Sequence, residues 1–216
     1  MKIILLGPPG SGKGTQAEIL SADLGISHIS TGNILRKEIE EQTELGKTVA
    51  QIMQQGGLVD DDIILTLTVK TVLSPEYSKG FILDGVPRSI AQARGLADNG
   101  IQIDHIIEIV CSDEETIQRI TNRRVHPASG RVYNIISHPP QVPGKDDETG
   151  EDLVQRDDDQ EEIVRTRLEN YREITSPLKA YYSEIAAKDP AIKYHELASN
   201  KLPQQLAAEI KVLLKY

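Results

Sequence analysis

The fold of this chain is decided by a stretch near its beginning, which reads Lys2-Ile3-Ile4-Leu5-Leu6-Gly7-Pro8-Pro9-Gly10-Ser11-Gly12-Lys13-Gly14-Thr15. A short apolar strand, a glycine-rich loop with a lysine and a helical pattern follow one another in the order that a phosphate-binding P-loop requires. The glycines let backbone amides approach an anion, and the helix start adds unpaired N–H groups and a positive dipole end. Lys13 supplies a mobile positive charge. The stretch therefore predicts a site for a nucleoside triphosphate.

The rest of the chain alternates between strand-like and helical patterns. Short apolar runs predict five strands, at Ile3–Leu6, His28–Ser30, Phe81–Asp84, His105–Val110 and Ile192–His195. Helices are predicted at Gln16–Leu24, Asn33–Glu41, Asp61–Leu73, Ile90–Asn99, Asp113–Arg123, Gln160–Ala187 and Pro203–Leu214. Because apolar strands that alternate with helices are typical of parallel sheets, we expect a three-layer α/β P-loop fold with a five-stranded parallel sheet. The binding crevice is expected at the carboxyl ends of the strands.

Two segments interrupt this alternation and predict the division into domains. Residues 30–59, the insert, read as a small helical unit that ends in the hinge-like Gln55-Gly56-Gly57-Leu58. Residues 122–159, the lid, have no helical pattern, are rich in proline and glycine, and carry arginines at both ends. A loop of that length in a compact domain is usually functional, so we expect a small β-rich unit rather than a disordered acidic loop. The P-loop core would comprise residues 1–29, 60–121 and 160–216.

Composition restricts the class of partner. Hydrophobic residues make up 38% of the chain and charged residues 26%, which is ordinary for a soluble globular protein. A formal net charge of -9 argues against nucleic acid or an anionic membrane as a partner. The one cysteine, Cys111, excludes an intramolecular disulfide and a cysteine-based metal cage. No apolar stretch approaches the ~20 residues that span a bilayer, and the first residues read as a core strand, so we expect a cytoplasmic protein. Nothing in the sequence suggests an obligate interface, so we also expect a monomer.

Charged residues around the predicted crevice indicate which chemistry occurs there. Asp84 ends a buried strand, and in a P-loop protein such an aspartate typically holds Mg²⁺, often through water, although it could also cap the strand. Arg88 follows just beyond it. On the helix predicted from Gln160, Arg165 would pair with a glutamate four residues away on either side. Arg167 lies on another side of that helix and is a candidate for a separate role.

These motifs together resemble the adenylate kinase family of nucleoside monophosphate kinases, in its long-lid form, across the full length of the chain. The resemblance is carried by Gly7–Gln16, Ser30-Thr31-Gly32, Leu83-Asp84-Gly85, Pro87-Arg88, Gly130-Arg131-Val132-Tyr133, Asp157-Asp158 and Arg165-Thr166-Arg167-Leu168. It implies reversible transfer of a phosphoryl group from Mg·ATP to AMP, giving two ADP. The attacking phosphate oxygen is already an anion, so no general base is needed. Catalysis would then consist of aligning the two phosphates and neutralising the charge between them.

The resemblance also assigns residues to the two nucleotides. For ATP it implies Gly10, Ser11, Gly12, Lys13, Gly14 and Thr15 at the phosphates, and Arg119, Arg123, Val132, Tyr133 and Lys201 at the rest of the nucleotide. For AMP it implies Thr31, Arg36, Gly57, Leu58, Val59, Gly85, Val86, Pro87, Arg88, Gln92, Arg156 and Arg167, with Leu35 and Met53 against the base. Gln92 would read the hydrogen-bonding edge of the adenine. The residues implied in catalysis are Lys13, Arg88, Arg123, Arg156, Arg167, Asp158 and Asp159.

The resemblance bears on metals as well. Some adenylate kinases carry a four-cysteine zinc site in the lid, but this chain has no cysteine between residues 122 and 159. His126, Ser129, Asp146 and Thr149 stand at the corresponding places. Serine and threonine are poor zinc ligands, so we expect a hydrogen-bonded tetrad and no structural zinc. The expected cofactor is Mg²⁺, held at Asp84 through water.

The chain departs from the family pattern at a few positions. Gly14 stands where most P-loops place a Ser or Thr on the metal, which is usual for adenylate kinases and shifts metal binding toward Asp84. Val86 replaces a common phenylalanine, Asn33 a common aspartate and Gly57 a common lysine. We expect these changes to affect AMP affinity or turnover and to leave the phosphate machinery intact.

Two other interpretations remain open at this point. The chain could be a kinase for UMP, CMP or GMP, although the long lid argues against a pyrimidine enzyme and Thr31 with Gln92 favours adenine. It could also be a nucleotide-dependent switch without phosphoryl transfer. Against that, no guanine-reading Asn-Lys-x-Asp motif is present, and a switch would not need arginines around a second phosphate. Measuring ADP formation with each monophosphate would separate the three interpretations.

Overall fold

The computed structural model describes residues 1–216, and a five-stranded parallel sheet lies at its centre. In spatial order the strands are β2 (Ser27–Ser30), β3 (Phe81–Asp84), β1 (Lys2–Leu6), β4 (His105–Val110) and β7 (Lys193–Ala198). The central strand β1 is covered on both faces, which explains why its residues are apolar without alternation. In the register Leu5 pairs with Asp84, so the end of β3 lies beside the start of the P-loop.

Nine α-helices surround the sheet. They are α1 (Lys13–Leu24), α2 (Thr31–Glu40), α3 (Glu44–Gln54), α4 (Asp61–Val72), α5 (Ile90–Asp98), α6 (Asp113–Thr121), α7 (Glu161–Asn170), α8 (Pro177–Lys188) and α9 (Pro203–Leu214). One core cluster lies between the sheet and α1 with α9, and a larger one joins the other face to α4, α5 and α8. The predicted α/β fold with a five-stranded parallel sheet is therefore confirmed.

The structure corrects the prediction in the last third of the chain. The sequence predicts one helix over Gln160–Ala187, but α7 ends at Asn170, a π-type turn spans Tyr171–Thr175, and α8 starts at Pro177. Proline has no backbone N–H to continue a helical ladder and is favourable in a first turn, so a new helix begins there. The last strand also extends beyond the predicted His195, because β7 pairs with β4 along its whole length to Ala198.

The insert consists of α2 and α3, which follow β2 directly. Ser30 caps α2 by accepting from the Asn33 amide, and Thr43 caps α3 in the same way. The two helices approach closely at Gly46, where a Cβ would lie 2.0 Å from the Glu38 carbonyl oxygen. The insert is thus a helical hairpin whose contact point tolerates only glycine.

The lid is held by little regular structure. Its strands β5 (Arg123–Val125) and β6 (Val132–Asn134) are antiparallel, and three isolated bridges tie its remaining turns, one of them between Val125 and Val154. The two ends of the lid, after α6 and before α7, lie close together, because Gln155 Nε2 donates to the Thr121 carbonyl oxygen at 3.0 Å. None of the helices in the structure combines the length and apolar character that crossing a membrane requires.

Candidate active site

The P-loop joins β1 to α1 at the carboxyl edge of the sheet. Gly7 has φ +140°, and a Cβ there would lie 2.3 Å from the Ile109 carbonyl oxygen, so only glycine lets the loop turn against β4. Gly12 precedes α1 in a left-handed conformation, and no side chain caps the helix. The amides of the first turn of α1 therefore remain available for an anion.

Lys13 lies inside this loop with its ammonium group turned back on the backbone. Its Nζ donates to the carbonyl oxygens of Gly7 and Pro8, each at 2.7 Å. Burial lowers the pKa of Lys13 to about 8, although the nearby Asp84 carboxylate acts in the opposite direction. Lys13 Nζ also donates to Ser11 Oγ at 3.4 Å. A buried lysine whose hydrogen-bond partners are all neutral has a strong preference for an anionic partner.

Asp84 lies opposite the start of α1. Its carboxylate contacts His28 Nε2 at 3.3 Å, and a Cβ on Gly14 would lie 3.5 Å from its Oδ2. Burial favours the neutral acid, but the hydrogen bond to His28 and the charge of Lys13 outweigh it and lower the pKa of Asp84. The carboxylate therefore stays ionised beside the phosphate loop. The sequence did not indicate His28, because its partner is set by the pairing of β2 with β3.

Beyond the P-loop, a single cleft of about 560 Å³ collects the cationic side chains. Arg119 of α6 borders one end of it, and five further arginines from separate elements line it next to the P-loop, namely Arg36, Arg88, Arg123, Arg156 and Arg167. They come from the insert, from the loop after β3, from the two ends of the lid and from α7. These guanidinium groups therefore converge on a common space next to the P-loop.

Three of these arginines have no carboxylate within ion-pair distance. Arg36 donates to Asn33 Oδ1 at 2.7 Å, Arg88 donates to the Gly85 carbonyl oxygen at 2.9 Å, and the Arg156 side chain has no hydrogen-bond partner in the protein. Burial lowers the pKa of all three, and neighbouring arginines lower it further. Arginine remains protonated at neutral pH regardless, so the cleft holds positive charge that the protein itself does not neutralise.

The other two arginines are anchored by aspartates. Arg123 donates from Nε to Asp159 at 2.9 Å and from a terminal nitrogen at 2.5 Å, a bidentate pair with a fully buried carboxylate. Although burial opposes the charge, this pair raises the pKa of Arg123. Arg167 donates to the Asp158 carboxylate and carbonyl oxygen, both at 3.0 Å. Because two contacts hold each planar guanidinium group, the orientation of Arg123 and Arg167 is fixed.

On the side of α6 and α9, the cleft continues past the P-loop between polar backbone groups. Arg119 donates to the Ser199 carbonyl oxygen at 2.8 Å, and Gln16 donates to that of Pro203 at 3.0 Å. Lys201 also borders this part and pairs with Glu209 at the surface. Both Gln16 and Ser199 are buried, and the sequence assigned neither of them a role in the site, although Gln16 ends the Gly7–Gln16 motif.

On the side of the insert, the cleft narrows around apolar and amide side chains. Gly85 has φ +84°, and a Cβ there would lie 3.0 Å from Thr31 Oγ1 and 3.2 Å from an Arg88 nitrogen. Glycine at this point thus lets both side chains approach the end of β3. Gln92 borders the same region and donates to Asp61 at 2.7 Å.

Most residues that the sequence assigns to the two nucleotides border this one cleft. They are Gly10, Ser11, Gly12, Lys13, Gly14, Thr15, Arg119, Arg123, Val132, Tyr133 and Lys201 on the ATP side, and Thr31, Arg36, Gly57, Leu58, Val59, Gly85, Pro87, Arg88, Gln92, Arg156 and Arg167 on the AMP side.

Two predicted residues do not border the cleft. Val86 is fully buried, because its apolar side chain belongs to the larger core cluster. Asp159 is also fully buried and orients Arg123 instead of facing the space between the arginines. Arg165, whose partner the sequence left open, pairs with Glu161 at 2.7 Å on the exposed side of α7.

The four polar residues predicted to bond within the lid lie together. His126 Nδ1 is 2.7 Å from Ser129 Oγ, and its Nε2 is 3.4 Å from Thr149 Oγ1, which donates to Asp146 at 2.9 Å. The structure adds Arg131, which donates twice to Asp146, at 2.8 and 2.6 Å. This contact holds the pKa of Asp146 well below its usual range. No group of three or more metal-binding side chains occurs in the structure.

The parallel sheet, the glycine-rich loop with Lys13 and the arginine-lined cleft beside it define a P-loop nucleotide-binding protein equipped for phosphoryl transfer. Residues 5–187 match the family model described as adenylate kinase. Because this match covers most of the chain, the protein belongs to the adenylate kinase family. It is an enzyme that transfers phosphoryl groups reversibly between adenine nucleotides.

Proposed function

We propose that the enzyme transfers the γ-phosphoryl group of Mg·ATP to AMP and forms two ADP. The observation that carries this proposal is the convergence of five arginines on a cleft of about 560 Å³ beside the P-loop. A triphosphate held by the P-loop alone would not require them. Two facing polyphosphates would, since each brings negative charge that must be neutralised before the reacting atoms can approach.

Chemically, the arrangement aligns the reactants and stabilises charge. The acceptor phosphate oxygen is already anionic, so no residue has to remove a proton. Lys13 would exchange its carbonyl contacts for the transferred phosphoryl group, and Arg88 with Arg36 would hold the acceptor phosphate. Arg123 and Arg167, whose aspartates fix their orientation, would contact the group in transfer. An arginine in this position is worth about 10³–10⁵ in rate in related phosphoryl-transfer enzymes.

The residues beside the P-loop fit the metal that ATP brings. Asp84 is ionised, and it faces Gly14, whose missing side chain leaves space at the start of α1. Carboxylate oxygen is a ligand type that Mg²⁺ prefers, often through retained water. Asp84 would therefore hold the ion, with His28 fixing the carboxylate. When bound, Mg²⁺ neutralises charge on the β- and γ-phosphates.

The insert and the lid act as two moving parts in this proposal. Arg36 belongs to residues 30–59, and Arg123 and Arg156 belong to residues 122–159. Both segments therefore contribute positive charge to a site that neither of them forms by itself. Closing them over the nucleotides would exclude water, which otherwise accepts the γ-phosphoryl group. Small-angle scattering should show compaction with a bisubstrate analogue that links two adenosines, and an unchanged radius of gyration would contradict closure.

One experiment tests the acceptor directly. The purified enzyme is given Mg·ATP with AMP, GMP, UMP or CMP, and diphosphate formation is followed for each. We expect AMP to be used far better than the others. Preference for another monophosphate would replace the proposed acceptor, and ATP binding without any transfer would replace the proposed activity by a switch. The net charge of -9 disfavours nucleic acid and anionic membranes as partners, and the proposal includes a monomeric, cytoplasmic enzyme.

A further inference from the structure

A short chain of hydrogen bonds lies behind the insert side of the cleft, where α4 begins. Asp61, the first residue of α4, accepts from Gln92 Nε2 on Oδ1 and from Ser89 Oγ on Oδ2, both at 2.7 Å. Gln92 Oε1 accepts from the backbone N–H of Arg88, also at 2.7 Å. Gln92 is 3% exposed and borders the cleft, whereas Asp61 does not border it. The amide of Gln92 is thus held at both of its polar ends.

These two contacts fix the orientation of that amide. A carboxylate only accepts hydrogen bonds, and a backbone N–H only donates them. If the oxygen and nitrogen of Gln92 exchanged places, two acceptors would face each other at Asp61 and two donors at Arg88. Both ends would then be buried without a partner, which is unfavourable in a site of this burial. The structure therefore permits one orientation of the Gln92 amide.

The fixed amide leaves a defined pattern for a ligand. Oε1 has two lone pairs, and the Arg88 N–H uses one of them. Nε2 has two hydrogens, and the bond to Asp61 uses one of them. One acceptor and one donor therefore remain for a ligand. Adenine offers the complementary pair, an amino donor at N6 beside the acceptor N1. Hypoxanthine and guanine offer the reverse pair, an acceptor at O6 beside a donor at N1. A 6-oxopurine would be matched only by the amide orientation that Asp61 and Arg88 exclude.

We propose that Asp61 is a positioning residue that determines base specificity, because it holds the Gln92 amide in the orientation that accepts adenine and rejects 6-oxopurines. This inference rests on the proposed function, in which AMP is the acceptor and Gln92 borders its base. Asp61 acts through Gln92 and does not contact the nucleotide. Its neighbour Asp62 occupies the same helix turn, but it is exposed and its carboxylate has no hydrogen-bond partner.

The test compares Asp61→Ala with the matched control Asp62→Ala, which removes the same charge from the same helix start. For each, kcat/KM is measured with AMP and with IMP at saturating Mg·ATP. In Asp61→Ala we expect the AMP-to-IMP ratio of kcat/KM to fall by about tenfold or more, mainly through a higher KM for AMP. The KM for ATP should stay unchanged, and Asp62→Ala should keep the wild-type ratio.

A conservative variant covers the case in which Asp61→Ala does not fold, as judged by thermal melting. Asp61→Asn keeps the volume but permits either amide to turn, so the ratio should fall by a smaller factor, roughly threefold to tenfold. A wild-type ratio in the folded variant, or equal losses with AMP and IMP, would overturn the inference. If the wild-type enzyme does not phosphorylate AMP, the proposed function fails first and the inference with it, before any variant is made.

Discussion

In the cleft, Arg36, Arg88 and Arg156 face one another without a carboxylate partner, whereas in the lid Arg131 donates to Asp146 and Glu148 at 2.6–2.8 Å. Burial lowers the pKa of the three cleft arginines. The hydrogen bond to Asp146 raises the pKa of Arg131 and lowers that of its partner. Both regions are rich in charge, but three arginines of the cleft have no carboxylate partner, whereas Arg131 has two.

The direction of the pKa shift therefore distinguishes arginines that bind a ligand from arginines that stabilise the fold. A buried cation whose pKa is lowered destabilises the folded protein as long as no anion is bound. Its role is therefore to bind an anionic ligand. A pair whose pKa values move apart stabilises the region that contains it. Arg123 combines both, since it borders the cleft and yet has a raised pKa because of Asp159. It lies where the lid joins the core, and it belongs to both regions.

The largest effect is expected when Lys13 is replaced by methionine. The variant should lose about 10³-fold or more in kcat/KM, because the loop from Gly7 to Thr15 contains no other cationic side chain. It should also be more stable than the wild type by about 1–3 kcal/mol at pH 7, since the cost of a buried ammonium disappears. Activity is followed by ADP formation and stability by urea unfolding, with the exposed Lys188→Met as a control that changes neither.

The pH dependence of this stability gain is part of the same prediction. The pKa of Lys13 is about 8 in the folded protein against an ordinary 10.5, so the unfolded chain binds more protons between these pH values. Wild-type stability should thus rise relative to the variant over that interval. The advantage of Lys13→Met should be complete below pH 8 and absent above pH 10.5. If Lys13→Met were less stable than the wild type at pH 7, the buried ammonium group would not destabilise the fold, and the assigned binding role of unpaired cations in the cleft would be contradicted.

A second prediction sets one arginine of each region against the other. Arg156→Gln should reduce kcat/KM by roughly 10²- to 10³-fold and leave the unfolding midpoint unchanged or higher, because Arg156 has no partner in the protein. Arg131→Gln should lower the unfolding midpoint and leave kcat/KM close to the wild-type value, because it leaves Asp146 without its cation. Arg165→Gln, which breaks an exposed pair, is the control for both.

The assigned roles of Arg156 in binding and of Arg131 in stability would be contradicted by the opposite phenotypes. Arg156→Gln would then be unstable but active, and Arg131→Gln stable but inactive. Steady-state kinetics and thermal melting on the same preparations provide both readouts. If both variants lost stability and activity together, the arginines of the lid and of the cleft would not have separate roles in stability and in binding.

How much of this could be predicted from the sequence depends on the distance between partners along the chain. The P-loop, the apolar strands and the parallel sheet follow from local order and periodicity, and these predictions are confirmed. The break before Pro177 follows from the missing N–H of proline and could have been predicted, but the π-type turn before it has no clear local signal.

The partners within the site could not be predicted in this way. Asp61 and Gln92 are separated by 31 residues, Arg123 and Asp159 by 36, and His28 and Asp84 by 56. The last pair meets only because β2 pairs with β3, which the sequence pattern does not specify. Motifs therefore indicated which residues are chemically important, whereas strand order and loop packing decide which carboxylate or amide each one contacts.

A third prediction concerns the lid alone. Asp146→Asn should raise the rate at which a protease cuts within residues 122–159 several-fold, because Arg131 loses its buried partner while the volume is kept. The control Asp152→Asn removes an exposed pair with Lys145, and it should change the rate little. Since the pKa of Asp146 is lowered, its contribution should persist at pH 5 and be lost progressively as the pH falls through the ordinary carboxyl range and below it. Equal cleavage of both variants would contradict the assigned role.

The smallest expected effect is that of removing metals from the lid. Both ring nitrogens of His126 are engaged, one with Ser129 at 2.7 Å and the other with Glu151 at 2.6 Å, and Asp146 is occupied by Arg131. Dialysis against a chelator should therefore leave the unfolding midpoint and the protease resistance of the lid unchanged, and elemental analysis should find no stoichiometric zinc. Activity should return fully when Mg²⁺ alone is added. A lid that opens on chelation would mean that a bound ion, and not internal ion pairing, distinguishes it from the cleft.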